Sequence, residues 1–259
     1  MLRAGLALVC SAAVAMEALA DDLPAPQAAS PWSFNVGLFS QYASRGISYT
    51  HEQPALQATA LYTHPSGWYA GLWLTNVSRY FIHDGTVESD PFGGYAGSRG
   101  NWNYDVGFWR WTFTGASLPV SKRKYDTIEL YASVGWRIFS LRVWREVTDY
   151  FGLNSQSAPV DAGLAPNGSS RGSTYLEGNV AFELPRGVTL GLHLGRQSVH
   201  GYGRLSYSEY RVNLDKDLGA GWTADLAFGD TDANPALYQD AGGLDVARAK
   251  WFGYLKKSF

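Results

Sequence analysis

Apolar and polar side chains alternate along most of the chain over residues 32–259. In the segment 125–136, every second residue from Ile128 onward is apolar, whereas Thr127 and the positions in step with it are polar or small. A period of two is typical of a β-strand with one apolar face, and helical stripes are hard to find. The same alternation predicts further strands over residues 175–184, 188–197, 209–215 and 222–229.

The connections between these segments alternate between short and long. Tight turns rich in Gly or Pro are predicted at 64–67, 98–101, 185–187 and 219–221, with a weaker turn at 137–138. Longer polar connections lie near 46–53, 79–89, 114–123, 151–172, 200–206 and 234–246. The chain therefore has about twelve predicted antiparallel strands, an even number whose two ends fall on the short-turn side.

Strand length distinguishes a membrane barrel from a soluble β-sandwich, which alternates in the same way. The predicted strands run to about ten residues, as needed to cross a bilayer at a tilt, whereas sandwich strands average about five or six. Aromatic residues near the ends of the apolar faces indicate interfacial girdles. The residues assigned to these girdles are Trp68, Trp102, Trp136, Trp222, Trp251, Tyr42, Tyr62 and Tyr210.

A sheet that spans lipid must close on itself, because lipid cannot hydrogen-bond free backbone groups. The prediction is therefore an all-β fold: a closed antiparallel transmembrane β-barrel of about twelve strands, with short periplasmic turns and longer extracellular loops. A soluble periplasmic β-protein is the alternative.

Composition supports the barrel and excludes other classes. Hydrophobic residues make up 46% of the 259 residues and charged ones 17%, which is too apolar for a disordered chain. The mean hydropathy of −0.19 and the lack of a long apolar run exclude a bundle of membrane helices. A net charge of −2 gives no basic footprint for nucleic acid. The chain nevertheless has 10 Trp, 16 Tyr and 12 Phe. A barrel explains this combination, because its apolar outer face meets lipid, its polar inner face meets a wet lumen, and the two faces cancel in the mean hydropathy.

The N-terminus has the pattern of a cleavable export signal. Arg3 precedes an apolar stretch over residues 4–16, and Ala18-Leu19-Ala20 forms a small-residue cleavage site. The predicted organisation is a signal peptide over 1–20, a Pro/Ala-rich spacer over 21–31 and the barrel over 32–259. Cys10 lies in the signal, so the mature chain has no disulfide and no thiolate metal site.

The final predicted strand ends on Phe259. This ending resembles the C-terminal signal by which outer-membrane proteins are recognised for insertion, although Lys257 occupies a usually apolar position. The expected partners are therefore the barrel-assembly machinery and outer-membrane lipid, and small solutes in addition.

Several stretches of the first half carry a family resemblance. They are residues 35–48 (NVGLFSQYASRGIS), 54–57 (PALQ), 67–77 (GWYAGLWLTNV), 94–97 (GYAG) and 104–107 (YDVG). These stretches resemble the TorF family of porins. The resemblance implies a Gram-negative outer-membrane protein and leaves the solute open.

The polar faces of the predicted strands supply charges of both signs to the lumen. The predicted pore-lining residues are Arg45, Asp105, Glu129, Arg142, Glu146, Glu177, His193, Glu209, Arg211, Asp215, Asp225, Arg248 and Lys250. We hypothesise a charged constriction with Arg45, Arg142, Arg211, Arg248 or Lys250 opposite Glu129, Glu146 or Glu209. The function expected is a porin-like channel for passive passage of small solutes or ions. The alternative is a non-conducting structural or adhesive barrel with a filled lumen.

Two segments leave their placement open. The longest loop, 151–172, could fold inward as a constriction, but its Gly, Ser, Ala and Pro content favours a mobile external loop. In strand 102–113, Arg110 stands between aromatic residues. Either a bulge turns its side chain inward, or it points outward at the rim.

Catalytic signals are weak. The five His are scattered, with no HExxH, Gly-x-Ser-x-Gly or phosphate-loop motif, so we expect no enzyme, cofactor or metal site. A third reading is a rim-sited lipid hydrolase that pairs His83 or His200 with a neighbouring serine.

Overall fold

Twelve of the fourteen strands form one closed antiparallel barrel in the computed structural model, which describes residues 30–259. The signal-peptide prediction and most of the predicted spacer lie outside the described residues. The barrel strands are β1 (Trp32–Phe39), β4 (Ala55–Thr63), β5 (Trp68–Asn76), β6 (Val87–Arg99), β7 (Trp102–Trp111), β8 (Thr127–Trp136), β9 (Phe139–Glu146), β10 (Thr174–Leu184), β11 (Val188–Ser198), β12 (Tyr207–Gly219), β13 (Trp222–Thr231) and β14 (Lys250–Ser258). Each strand pairs with its neighbours in sequence, and β1 closes the ring on β14.

The remaining two strands, β2 (Ala43–Ser44) and β3 (Ile47–Ser48), form a separate small hairpin. In the described part of the chain, helical structure is limited to α1 (Ser157–Asp161) and to 3₁₀ turns at Tyr150–Gly152 and Gly203–Leu205. Within residues 30–259, no helix is long and apolar enough to cross a bilayer.

Alternation along each strand produces the predicted two-faced wall. On β8, Glu129 and Tyr131 are buried inside the barrel, whereas Leu130 and Val134 are 51% and 40% exposed on its outer surface. Rows of exposed Leu, Val and Phe continue around the outside on the other strands. A surface this apolar is suited to lipid, and a single closed sheet replaces the two packed sheets of a sandwich. The barrel prediction is therefore confirmed.

Short turns and long loops occupy opposite ends of the barrel. The short turns join β4 to β5, β6 to β7, β8 to β9, β10 to β11 and β12 to β13, and both ends of the barrel chain lie beside them. We call this the short-turn end, and the opposite one the long-loop end. The turn after β8 is weak in the sequence because Arg137, with a φ of 54°, takes a conformation that usually favours glycine.

Outward-facing rings form a girdle at the short-turn end. Ring centroids lie 5.3 Å apart for Trp68 and Tyr95 and 6.3 Å apart for Trp102 and Trp136. At the long-loop end, Trp251 packs against Phe228 at 5.2 Å. All the predicted girdle residues except one lie on the outer face: Trp68, Trp102, Trp136, Trp222, Trp251, Tyr62 and Tyr210.

Tyr42 is the exception, and its prediction as a girdle residue is wrong. Its side chain is fully buried inside the barrel, where its ring stacks on Tyr49 at 4.9 Å. The reason is that the chain leaves the wall after Phe39, so the alternation of β1 does not extend to residue 42.

Arg110 points outward at the long-loop end of β7. The alternation continues through it without a bulge, so the flanking Trp109 and Trp111 both face inward. Its guanidinium lies 3.4 Å from the carboxylate of Asp126. Of the two placements considered, the structure has the outward one.

The loop over residues 147–173 is folded onto the end of the barrel. Leu153, Ala158 and Leu164 pack with Val199 and Tyr202 of the β11–β12 loop. This packing corrects the expectation of a mobile external loop, because apolar side chains that are far apart in sequence anchor it.

Candidate functional site

A hairpin folds inward at the long-loop end of the barrel. Between Phe39 and Ala55 the chain leaves the wall, forms β2 and β3, and returns to it at β4. The amide of Tyr49 donates to the carbonyl of Tyr42 at 2.8 Å, which closes the base of this excursion. We call residues 41–50 the inner hairpin. Its tip, Arg45-Gly46, has φ values of 49° and 75°, which glycine adopts easily and arginine rarely.

The tip of the inner hairpin reaches the opposite wall through Arg45. Both terminal nitrogens of the guanidinium donate to the Glu129 carboxylate, each at 2.8 Å, and Nη1 also donates to Gln197 at 3.1 Å. Glu146 lies 4.0 Å away on the neighbouring strand. A bidentate Arg–carboxylate pair fixes direction as well as distance.

Aromatic rings enclose the same guanidinium. The ring centre of Tyr175 is 4.3 Å from Arg45 Cζ, and those of Trp111 and Trp144 are each 5.6 Å from it. The side chain of Arg45 is only 8% exposed. Such a buried cation is stable only where carboxylates and ring faces replace its water, as they do here.

Lys250 anchors the inner hairpin on its other side. Its ammonium donates to the carbonyls of Gly46 at 2.7 Å and Val246 at 2.9 Å. The amide of Ser48 donates to Val246 at 2.9 Å. The Lys250 side chain thus lies inside the barrel, where it joins the hairpin tip to the β13–β14 loop.

Two further polar contacts join residues 51–52, which directly follow the inner hairpin, to the β13–β14 loop, and we call them the outer latch. Glu52 accepts from Arg248 at 2.9 and 2.6 Å, and His51 Nδ1 lies 2.5 Å from a carboxylate oxygen of Asp240. Hydrogen bonding and charge from Arg248 hold the pKa of Glu52 below its ordinary value.

The prediction that Arg248 lines the pore is wrong. Its side chain is 53% exposed, because β14 begins only at Lys250 and the loop before it does not keep the strand alternation.

Below the inner hairpin, charged side chains form a belt across neighbouring strands. Arg142 lies 3.9 Å from both Asp105 and Glu177. His193 lies 3.9 Å from Glu177 and 3.1 Å from Glu209. These five side chains come from β7, β9, β10, β11 and β12, so acidic and basic residues alternate along this part of the inner wall.

A second polar group extends the belt along β12 and onto the adjacent β13 and β14. Asn213 donates to Asp215 at 2.6 Å and to Asp225 at 3.2 Å. Tyr254 donates its hydroxyl to Asp215 at 2.8 Å. Arg211, buried on the same strand as Asp215, is within electrostatic reach of both aspartates.

The inner face therefore holds almost all of the residues predicted to line the lumen. Facing inward from the wall are Asp105, Glu129, Arg142, Glu146, Glu177, His193, Glu209, Arg211, Asp215, Asp225 and Lys250. The hypothesised pairing is present for Arg45, which faces Glu129 and Glu146. Arg142 and Arg211 instead have other partners, and whether these residues line a conducting pore stays a prediction.

Sequence reasoning missed the aromatic and acidic side chains that surround the inner hairpin. Glu88 and Asp90 are fully buried inside the barrel, where they accept from Tyr42 at 3.3 Å and Trp109 Nε1 at 2.7 Å. Glu88 falls in a stretch that the polar composition assigned to a loop. The signal was present at the end of β7, where the aromatic residues on both faces indicate that some rings point inward. Across β5 to β10, the buried inward rings are Trp73, Trp109, Trp111, Trp144, Tyr69, Tyr131, Tyr175 and Phe92.

The two histidines considered for lipid hydrolysis lie in the long loops. His83 Nδ1 lies 3.2 Å from the carbonyl of Ser117, and His200 approaches Ser173 only through its backbone amide, at 3.0 Å. In the part of the chain that the structure describes, no bond joins either imidazole to a serine hydroxyl.

Family comparison gives the chain a place among bacterial proteins. A family model described as "Bacterial protein of unknown function (Gcw_chp)" matches residues 25–259. The chain belongs to this family. The description of this family does not support the name TorF. No curated protein matches the Gcw_chp chain.

Solved porins share the fold of this Gcw_chp protein. The KdgM porin, in a structure described as a complex with disordered oligogalacturonate, is 10% identical, with a TM-score of 0.54 over 88% of this chain and 99% of that one. The NanC porin is 11% identical, with a TM-score of 0.52 over 86% and 98% of the two chains. At this identity the likeness establishes a porin-type barrel.

Proposed function

We propose that this protein is an outer-membrane channel for small polar solutes whose lumen the inner hairpin closes in the conformation described. The observation that carries the proposal is the pair between Arg45 at the hairpin tip and Glu129 on the wall, with two bonds of 2.8 Å across the interior. A porin-type barrel supplies the passage, and the hairpin supplies the closure.

The way in which the hairpin is held favours a movable element. Its tip is joined to the wall and to the β13–β14 loop through the side chains of Arg45 and Lys250, while the hydrogen-bonded ring of twelve strands is complete without it. Polar contacts of this kind can be exchanged for water, whereas the backbone pairing of the wall cannot be given up in lipid.

Unpaired polar atoms in the interior support a hydrated path. Among the described residues, Glu146 Oε2, Arg142 Nε and Asp225 Oδ1 are buried and have no hydrogen-bond partner in the protein. Buried polar atoms of this kind are usually satisfied by water. A water-filled interior is what a polar solute requires.

The charge of the interior favours neutral or cationic solutes. Acidic side chains outnumber permanent cations on the inward positions of the strands and the inner hairpin. The acidic residues are Glu88, Asp90, Asp105, Glu129, Glu146, Glu177, Glu183, Glu209, Asp215, Asp217 and Asp225, and the cations are Arg45, Arg142, Arg211, Lys250 and Lys256. Rings of carboxylates favour cations in channels. An acidic saccharide, as in the KdgM complex, is therefore not the ligand we expect for this chain.

The cellular location that we propose, the outer membrane, follows from the predicted export signal and the barrel. Residues 1–20 direct export, and β14, which ends at Ser258 just before Phe259, is presented to the barrel-assembly machinery of a Gram-negative cell. The short turns then face the periplasm, and the inner hairpin closes the extracellular end.

Planar-bilayer recording of the refolded protein tests the channel. Arg45→Ala should raise the mean conductance several-fold over the wild type, whereas Arg110→Ala, on the outer rim, should leave it unchanged. A reversal potential measured across a KCl gradient should show a preference for K⁺ over Cl⁻. Unchanged, negligible conductance in a folded Arg45→Ala barrel would overturn the proposal.

The second candidate is a non-conducting barrel, and the aromatic packing around the hairpin favours it. Trp109 stacks on Phe92 at 4.7 Å, and Tyr49 packs between Tyr42 at 4.9 Å and Phe81 at 5.1 Å. Such packing fills space that a solute would need. Absence of current from a variant that lacks residues 43–48 would select this candidate.

A further inference from the structure

A cleft of about 580 Å³ opens at the outer rim of the long-loop end, where loop 147–173 meets the β11–β12 loop. The residues that line it include Arg145, Arg171 and His200, together with Asn167 and Ser169. We call it the rim cleft. It lies outside the barrel wall and is separate from the closed lumen, because Arg145 belongs to the outward-facing, exposed positions of β9.

The rim cleft is held in shape by bonds between its two loops. Asn167 Nδ2 donates to the carbonyl of Gly201 at 3.0 Å, and the hydroxyl of Tyr202 donates to Gly168 at 2.7 Å. At Gly172, with a φ of 90°, a Cβ atom would lie only 3.1 Å from the Arg145 guanidinium. The guanidinium therefore lies over bare backbone at this point, and a side chain there would displace it.

The positive charge of the rim cleft is not balanced by a carboxylate within it. Among the described residues, the guanidinium groups of Arg145 and Arg171 have no hydrogen bond or ion pair, whereas Arg110 and Arg248 each pair with an acid. Glu146 contributes to the lining, but its side chain is fully buried from solvent and its carboxylate points inward, 4.0 Å from Arg45.

Asp149 contacts the lining of the rim cleft through Ser169. Its carboxylate accepts from Ser169 and from Asn154, at 2.9 Å for the latter, and lies 3.5 Å from Arg123. These partners hold the pKa of Asp149 below its ordinary value even though burial alone would raise it. Its charge is thus already engaged, and the two free guanidinium groups remain available to an anion.

The position of Arg145 points to an anion at a membrane surface. On the outer face of β9, Phe139, Leu141 and Val143 precede it, and all three are exposed. Arg145 continues this lipid-facing row at the point where the apolar band ends, which is the level of lipid headgroups. One guanidinium group can donate two parallel hydrogen bonds to the oxygens of a phosphate, so its geometry as well as its charge suits this anion.

From these observations we infer that the rim cleft binds the phosphate group of a lipid headgroup. Arg145 and Arg171 hold the phosphate oxygens, Asn167 and His200 supply further polar contacts, and the acyl chains lie along the apolar row of β9. The inference requires the outer face to lie in lipid but does not require the lumen to conduct. It therefore stands or falls separately from the channel proposal.

Native mass spectrometry of the refolded barrel in detergent tests this site, with dioleoylphosphatidic acid as the probe. The wild type should retain the phosphatidic acid and should not retain dioleoylphosphatidylcholine at the same concentration. Each of Arg145→Gln and Arg171→Gln should weaken phosphatidic acid binding about fivefold, the usual contribution of one basic side chain near a lipid surface. Arg145→Lys should restore part of the affinity lost in Arg145→Gln.

The matched control is Arg99→Gln/Arg110→Gln, which removes the same two charges from exposed outer positions away from the rim cleft. It should bind phosphatidic acid within twofold of the wild type. Inorganic phosphate distinguishes a lipid site from a free-anion site: equal affinity for inorganic phosphate and phosphatidic acid would overturn the lipid assignment. Wild-type binding by a folded Arg145→Gln/Arg171→Gln barrel would overturn the site itself.

Discussion

Arg45 and Glu129 connect the tip of the inner hairpin to the barrel wall through two parallel hydrogen bonds of 2.8 Å. The two residues are separated by 84 positions in sequence, and their side chains are 8% and 1% exposed. Both charges are taken out of bulk water, so each is stable only while the other is present. The position of the inner hairpin therefore depends strongly on this one pair.

A double-mutant cycle measures this dependence. Arg45→Met leaves the buried Glu129 carboxylate uncompensated and should lower the free energy of unfolding by about 3 to 5 kcal/mol. Arg45→Met/Glu129→Gln should cost less than the sum of the two single variants, because the orphaned charge is removed as well. The measurement is urea unfolding of the barrel in lipid vesicles.

The control for this cycle is Arg110→Gln. Its ion pair with Asp126 is on the exposed outer rim and should contribute about 1 kcal/mol or less. Additivity of Arg45→Met and Glu129→Gln to within about 0.5 kcal/mol would contradict a coupled pair.

The conformation of the hairpin tip can be tested at Gly46. It has a φ of 75°, and a Cβ atom there would lie 2.4 Å from Thr231 Cγ2. Gly46→Ala should therefore displace the tip and raise the bilayer conductance. Gly100→Ala is the matched control, since its φ of 64° carries the same backbone strain with nothing within 4 Å of the added carbon. Equal effects of the two substitutions on conductance would mean that contact with Thr231 is irrelevant.

The strands could be predicted from the sequence because the alternation that defines them is local. Glu129 and Leu130 face opposite sides of β8 as a direct result of strand geometry, and so do Arg142 and Leu141 on β9. The weak turn at Arg137 could also be predicted, because the segments on both sides of it alternate between apolar and polar residues.

The inner hairpin could not be predicted in this way. Residues 46–53 have the polar composition of a surface loop, and their inward course depends on partners such as Glu129 and Lys250 that are distant in sequence. Arg248 was misplaced for a related reason, because strand alternation has no meaning inside a loop. Tyr42 could be assigned to either interior or interface until its contact with Glu88 was known.

The outer latch should weaken in acid. Because Arg248 lowers the pKa of Glu52, the ion pair stabilises the folded loop fully above the ordinary Glu range, and this contribution is lost as pH falls through the lowered pKa. The Glu52–Arg248 pair should therefore be unchanged between pH 7 and about pH 5 and should weaken below about pH 4. His51, Asp245 and Lys250 are the other titratable groups close to the pair.

A fluorophore on Gln53→Cys reports this change through its anisotropy, since Cys10 of the predicted signal is the single cysteine of the sequence. Anisotropy should fall on acidification in the otherwise wild-type protein. With Glu52→Gln it should already be low at pH 7 and should not change with acid. An acid-induced fall of the same size in the Glu52→Gln protein would assign the transition to another group.

The two faces of one strand can be compared directly through tryptophan fluorescence. On β5, Trp68 lies on the outer face and is 62% exposed, whereas Trp73 faces inward and is 3% exposed. Two variants that keep only Trp68 or only Trp73, with the other tryptophans replaced by phenylalanine, are refolded into vesicles of brominated phosphatidylcholine. Bromine quenches by contact, so the Trp68 protein should lose most of its emission relative to plain lipid, and the Trp73 protein should lose little. Strong quenching of Trp73 would mean that this strand presents its opposite face to lipid, because a shift of one residue in strand register reverses every side chain along it.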